Sequence, residues 1–320
     1  MKNILKKFFY RRPAQPFRPG REIDFNKLDL DLSVFGRVNE LCQTHYGNNP
    51  GCMLSPHWQE AFAKDTLRLQ STKKLSALNW VGDGYPKTTK LRSGFPDFLN
   101  FQGSFENWET LDIQTGLHQF YSLDYFFHLQ KKPLSQLPEV NILEIGGGYG
   151  RLALFFLAIF GEKCRYVNVD FVPTSLAVAP QVMRKFFPHL KVADAISLEA
   201  GEHKLEDFNY VSLPAWKVKD LPKEKFVLGI NIHSFQEMMP KTVPFYAQVF
   251  KDSLVPGGIL YFVNNPPDSW ESHGTERYRP HSFYGLEDNG FKELFSQVNR
   301  FTDDWEIICG IPSLERILQK

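Results

Sequence analysis

Apolar residues recur along this chain with two different periods, and the change of period divides it. In the first third they return every three or four residues: Val34, Val38, Leu41 and Cys42 over 33–45, then Trp58, Phe62 and Leu69 after Ser55-Pro56. A third set, Leu117, Phe120, Tyr121, Leu123, Tyr125 and Phe126, falls in 115–130. Such spacing predicts helices with one buried face. The first ends at Tyr46-Gly47-Asn48-Asn49-Pro50, and the second opens on a serine N-cap with proline in its first turn. After residue 140 short β-branched runs take over, at 141–145, 165–170, 209–213, 226–231 and 259–263, separated by apolar helical stretches at 152–160, 174–187 and 243–253. Strand alternating with helix predicts an α/β unit. The charged segment 189–207 reads as an insertion, 291–301 and 305–311 as the last strands, and the final residues as a short basic tail.

At 320 residues the chain can hold a sizeable core and two domains. The 37 basic and 36 acidic side chains nearly cancel, so no nucleic acid is expected as a partner. Cys42, Cys52, Cys164 and Cys309 include no C-x-x-C pair, which speaks against zinc and for a reduced, cytoplasmic setting. The longest apolar run, 152–160, is too short to span a bilayer, and the N-terminus lacks a signal-peptide core. Residues 1–20 form a basic arm broken by Pro13, Pro16 and Pro19. Ile4, Leu5, Phe8 and Phe9 among its cations leave two readings, a frayed tail or a weak peripheral membrane contact. Residues 81–103, punctuated by glycine and proline, form a loop that reaches the site or runs over the surface.

The candidate chemistry begins where the first strand runs into Glu144-Ile145-Gly146-Gly147-Gly148-Tyr149-Gly150 and then a helix. Glycines permit a sharp turn, and the helix N-terminus offers unpaired N–H groups. Gly148 to Ala153 also fits the dinucleotide pattern G-x-G-x-x-G/A, a weak signal alone. Glu144 decides between the two, because a carboxylate there repels a pyrophosphate and suits the ammonium and sulfonium of S-adenosylmethionine. Asp170, ending the second strand beside Phe171, can accept the ribose hydroxyls. Pro214, Ala215 and Trp216 follow the next strand, where the adenine lies; Trp216 either stacks on it or is an ordinary core residue. Asn231, His233, Ser234, Gln236 and Glu237 end the strand at 226–231, where an acceptor meets the methyl group. His273, Arg277, Tyr278, Arg279 and His281, in the loop 264–285, are the candidate substrate-binding residues.

The segment Glu144-x-Gly146-x-Gly148-x-Gly150 resembles motif I of the class I methyltransferases. More narrowly, the chain resembles the sugar O-methyltransferase family of bacterial polysaccharide gene clusters. The likeness lies in Leu143 to Ala153, in Asn231-x-x-Ser234-Phe235-Gln236-Glu237-Met238 and in Pro256-Gly257-Gly258, within a match over 140–264. It implies a Rossmann-like class I methyltransferase sheet with helices on both faces. A mainly helical accessory domain that binds substrate (21–135) precedes the S-adenosylmethionine-binding domain (136–320). It also implies methyl transfer to a hydroxyl of a sugar, sugar nucleotide or polysaccharide, with S-adenosylhomocysteine as product. The alternatives are another small-molecule hydroxyl, as in natural-product tailoring, or a non-catalytic partner protein. His233 is the candidate general base, oriented by Glu237 one helical turn on, with His273 and His281 as rivals. Glu237 and Asp268 could ligate a metal, but no adjacent carboxylate pair stands near that strand, and none is expected. The oligomeric state stays open between monomer and homo-oligomer.

Overall fold

A computed structural model describes residues 30–46, 116, 119, 120, 123, 126, 127, 130, 134–201, 204–239, 242–264, 284–298 and 314–320. The expected helix after Ser55, the arm, the 81–103 loop, Glu237's supposed metal partner Asp268 and the proposed strand 305–311 lie outside them.

Strand β1 (Val140–Ile145) is buried along its whole length, as a strand covered on both faces must be. It pairs in parallel with β2 (Cys164–Asp170) on one side and β5 (Phe226–Ile232) on the other. Beyond β2 stand β4 (Tyr210–Pro214) and the two-residue β3 (Val192–Ala193); beyond β5 stand β6 (Leu254–Asn264), β8 (Leu314–Gln319) and β7 (Lys292–Val298). The order is β3-β4-β2-β1-β5-β6-β8-β7, parallel except at β8 and β7. This is the Rossmann-like sheet of the class I methyltransferase fold. Strand order reverses between β1 and β5, the switch point where open α/β sheets bind ligands.

Helices cover both faces. On one, α2 (Arg151–Phe160) and α3 (Pro173–Phe186) bury Leu154, Phe156, Val182 and Met183 with Ile142, Tyr166 and Tyr210 of the sheet. On the other, α5 (Thr242–Ser253) sets Tyr246 and Phe250 against Leu143, Val169 and Phe262. From the N-terminal third, α1 (Ser33–His45) places Val38 and Cys42 on Leu176 and Ala177 of α3. The helical residues Phe120, Leu123, Phe126 and Phe127 join the α2 layer, with the Phe120 ring edge-on to Phe156 at 4.9 Å. These described pieces therefore share the sheet's own core.

Three expectations are corrected. Segment 189–207 is no insertion: it supplies β3 and α4 (Ala195–Glu199), the latter started by an Asp194–Ser197 capping box. Two residues are too few to display a period, so the strands at 209–213, 226–231 and 259–263 each move up one place. Pro256-Gly257-Gly258 lies inside β6, where the register against β5 slips and Gly257 takes φ 76°. The supposed basic tail is β8, buried between β6 and β7. Its charges hid it. Glu315 is bound by Tyr261 and Gln297, and Arg316 by Glu287 and Glu293, so a buried strand carries polar residues that are satisfied.

Candidate functional site

The loop after β1 is clamped by side chains of β2. Gly147 N–H donates to Asn168 Oδ1 at 3.1 Å, Gly148 N–H to Asp170 Oδ2 at 3.1 Å, and Asn168 Nδ2 to Gly148 O at 3.2 Å. Gly146 and Gly150 have φ of 78° and 87°, the left-handed region. A Cβ on Gly146 would collide with Ser234, one on Gly147 with Glu144, and one on Gly150 with Met183 Cε. Packing or backbone conformation within the protein thus already favours glycine at three of the positions that the sequence assigns to a ligand.

Two carboxylates lie beneath this loop. Glu144 is 4% exposed and accepts the Tyr166 hydroxyl at 2.6 Å. Burial pushes its pKa up to about 7, against the pull of Tyr166 and of the Arg151 charge. Asp170 accepts N–H groups from Gly148, Phe171 and Val172 and is hydrogen-bonded by Ser175, yet burial still carries it up to about 6. Its bonds to Phe171 and Val172 N–H also hold the turn that leads into α3.

At the end of β5, Asn231 is fully buried. Its Nδ2 donates to Ile145 O at 2.8 Å and to Ser234 Oγ; its Oδ1 accepts Phe235 N–H at 3.3 Å and Asn264 Nδ2 at 2.9 Å. That uses the whole hydrogen-bonding capacity of an amide. Asn231 ties β1, β5 and β6 together at their ends, and its side-chain amide has no hydrogen-bonding capacity left over. His233 sits at φ 58°, strained for a residue with a Cβ, held by its N–H to Val263 O at 2.7 Å. The residue is half-buried, but its imidazole lies deep enough that burial, with help from Arg151, lowers its pKa to about 4. Gln236 hydrogen-bonds the ring. Phe235–Glu237 is a 3-10 turn that starts after His233, so Glu237 does not stand one α-helical turn beyond it.

At the β2 and β4 ends, Phe171 and Ala215 are buried and Pro214 closes β4. Trp216 stacks on His45 and donates Nε1–H to Glu199 at 3.1 Å. Tyr46 donates its hydroxyl to Phe171 O. The C-terminal end of α1 is therefore seated where the sequence places the adenine.

Sequence reasoning missed Tyr166, Asn168, Gln119 and Arg151. Tyr166, Asn168 and Asp170 alternate along β2, a period-two polar face that could have shown the clamp. Arg151 meets Gln119 at 3.1 Å across 32 residues, a contact no local pattern displays. His273, Arg277, Tyr278, Arg279 and His281 lie outside the described residues. Among the described residues no group of three His, Cys, Asp or Glu side chains is placed to hold a metal, and no helix is long and apolar enough to cross a membrane.

No protein-family model and no curated protein matches this chain. Solved structures do. The geranyl diphosphate C-methyltransferase of Streptomyces coelicolor A3(2) is 10% identical over 83% of this chain and 98% of its own, with a TM-score of 0.46. The 1,6-didemethyltoxoflavin-N1-methyltransferase of Burkholderia thailandensis is 18% identical over 69% of this chain and 85% of its own, at 0.42. The [4+2]-cyclase SpnF is 15% identical over 62% and 80%, at 0.39.

Proposed function

We propose that this chain binds S-adenosylmethionine over the Gly146–Gly150 loop and transfers its methyl group to a hydroxyl of a sugar, sugar nucleotide or polysaccharide, releasing S-adenosylhomocysteine. One observation carries the cofactor: two buried carboxylates, Glu144 and Asp170, stand under a glycine loop at the switch point, both pushed up by burial. Even with the Arg151 charge acting on Glu144, the two buried carboxylates leave the site short of positive charge. A sulfonium with an ammonium relieves that shortage, whereas a dinucleotide pyrophosphate deepens it. The acceptor class follows the sequence resemblance, and residues 21–135 with the loop 264–285 supply the acceptor side.

The bound cofactor supplies an electrophilic methyl carbon on sulfur. The protein aligns the acceptor oxygen with it and excludes water. His233 would accept the acceptor's hydroxyl proton, which becomes strongly acidic once its oxygen is methylated. A pKa of about 4 keeps that imidazole neutral at pH 7 and able to accept. Gln236 fixes the ring's direction.

Calorimetry with S-adenosylmethionine and S-adenosylhomocysteine tests the first step; absence of binding to either would return the chain to a non-catalytic role. Labelled cofactor incubated with nucleotide sugars, glycans and unrelated hydroxyl compounds, read by mass spectrometry, tests the second. Label on a hydroxyl compound that is not a sugar would move the reading to small-molecule tailoring.

A further inference from the structure

Gln119 is completely buried, and its side-chain carbonyl accepts Arg151 Nη2 at 3.1 Å. A guanidinium only donates, so this contact fixes which end of the amide faces it. The other end, Nε2, is buried with no hydrogen-bond partner. A buried N–H without a partner is costly, and such groups in native proteins call for an explanation. Neither residue is placed by chance. Gly116, one turn before Gln119, lies against the Arg151 methylenes and Phe155, so a larger residue there would push the two elements apart. Arg151 opens the ten-residue α2 directly after the glycine loop, where backbone N–H groups and the helix dipole favour an anion. Glu144 also lies against the loop, its Oε2 in the space that a Cβ on Gly147 would fill, and it feels the Arg151 charge. An acid and a base thus meet at one stretch of backbone.

We propose that Gln119 and Arg151 receive the carboxylate of the methionyl group of S-adenosylmethionine while Glu144 faces its ammonium, so that one base and one acid at the loop match the two charges of an amino-acid head group. The assignment rests on the cofactor reading above. It gives the unpaired amide an acceptor oxygen, and it gives the helical residues Gly116 and Gln119 a task at the cofactor.

Two probes separate this assignment from the cofactor reading: S-adenosylhomocysteine, and S-adenosyl-3-thiopropylamine, the same molecule without the carboxylate. Binding to the full chain is measured by calorimetry. Gln119→Leu should weaken S-adenosylhomocysteine about tenfold and leave the amine analogue unchanged. Gln119→Glu keeps the shape and the Arg151 contact but opposes the carboxylate with a like charge, and should weaken S-adenosylhomocysteine roughly a hundredfold, again sparing the analogue. Circular dichroism checks both folds; if the leucine variant unfolds, the glutamate variant decides. Equal losses for both probes, or no loss, would overturn the carboxylate assignment and leave the cofactor reading intact. A parent protein that binds neither probe would remove the cofactor reading and this assignment with it.

Discussion

The imidazole of His45 lies flat on the indole of Trp216, ring centroids 4.7 Å apart and planes 10° from parallel. Glu199 holds both rings, meeting His45 Nε2 at 3.2 Å and accepting Trp216 Nε1–H at 3.1 Å. Together with the Tyr46 hydroxyl on Phe171 O, this pins the end of α1 across the ends of β2 and β4. Ring pairs of this kind contribute about 0.5–1.5 kcal/mol beyond buried area. His45→Ala should therefore cost about 1 kcal/mol in urea unfolding and raise amide hydrogen exchange through Ser33–His45. Exchange in α1 unchanged by the substitution would mean that Val38 and Cys42, packed on α3, hold the helix alone.

The same cluster sets an acid-side response. Burial pushes the Glu199 carboxyl up, but the Trp216 indole N–H, Lys217 and His45 outweigh it and hold the group below its ordinary 4.5. A carboxyl lowered in the folded state stabilises above its unfolded pKa, and that contribution is lost as pH falls through the folded value. Protection of α1 should therefore hold down to pH 4.5 and decline below it. Glu199→Gln should remove the decline, as read by exchange at a series of pH values.

Glu144 works in the opposite direction. Its folded pKa, about 7, lies above the ordinary 4.5 because the site is buried. Between those values the folded state holds more protons than the unfolded one, so stability falls as pH rises from 4.5 to 7. Asp170, at about 6 against 3.8, adds to the slope in the same sense. The unliganded protein should melt at a higher temperature at pH 5 than at pH 8. Glu144→Gln should flatten part of that difference, on the order of 3 kcal/mol at most, while weakening S-adenosylmethionine. A parent protein equally stable at pH 5 and pH 8 would contradict the buried charges, and a variant that binds cofactor as the parent does would undo the role given to Glu144.

The parts of this architecture that sequence displays are those in which one element suffices. β1, its glycine loop and α2 show a strand period, turn residues and an apolar run in unbroken order, and β2, β4, β5 and α5 follow within a residue or two of their expected positions. What stays hidden depends on a second element. β3 has two residues and only β4 to pair with. β8 breaks its apolar run with Glu315 and Arg316, whose partners stand on β6, on β7 and in the turn before it. Asn231 looks like a ligand contact in sequence, but two of its four bonds go to β1 and β6, which local spacing does not reveal, and the other two to Ser234 and Phe235 of the turn that follows it.

Gly146 offers a test of packing against ligand approach. At φ 78°, with Ser234 against the space of a Cβ, alanine meets both backbone strain and a collision. Gly146→Ala should cost about 2–4 kcal/mol in urea unfolding. Adding Ser234→Gly opens the space but not the backbone conformation, so the double variant should regain only part of the loss. Full recovery would mean that the left-handed backbone costs nothing there; no recovery would mean that the collision is relieved by other means.

His233 is where pH and catalysis meet. With its pKa lowered to about 4, the ring is neutral throughout the range in which activity would be assayed. If His233 is the base, the acid limb of kcat should fall near pH 4, well below the 6.5 of an unperturbed imidazole. His233→Ala should lower kcat by about 10²–10⁴ with little change in S-adenosylhomocysteine affinity, because general-base catalysis contributes that range. His233→Gly separates the ring from its backbone: φ 58° is free for glycine, so this variant should be at least as stable as the alanine one, yet equally slow. An acid limb near pH 7 that shifts in Glu144→Gln would instead assign the titration to the carboxylate under the loop. His233→Ala turning over at the parental rate would leave the imidazole as a strained structural residue at the end of β5.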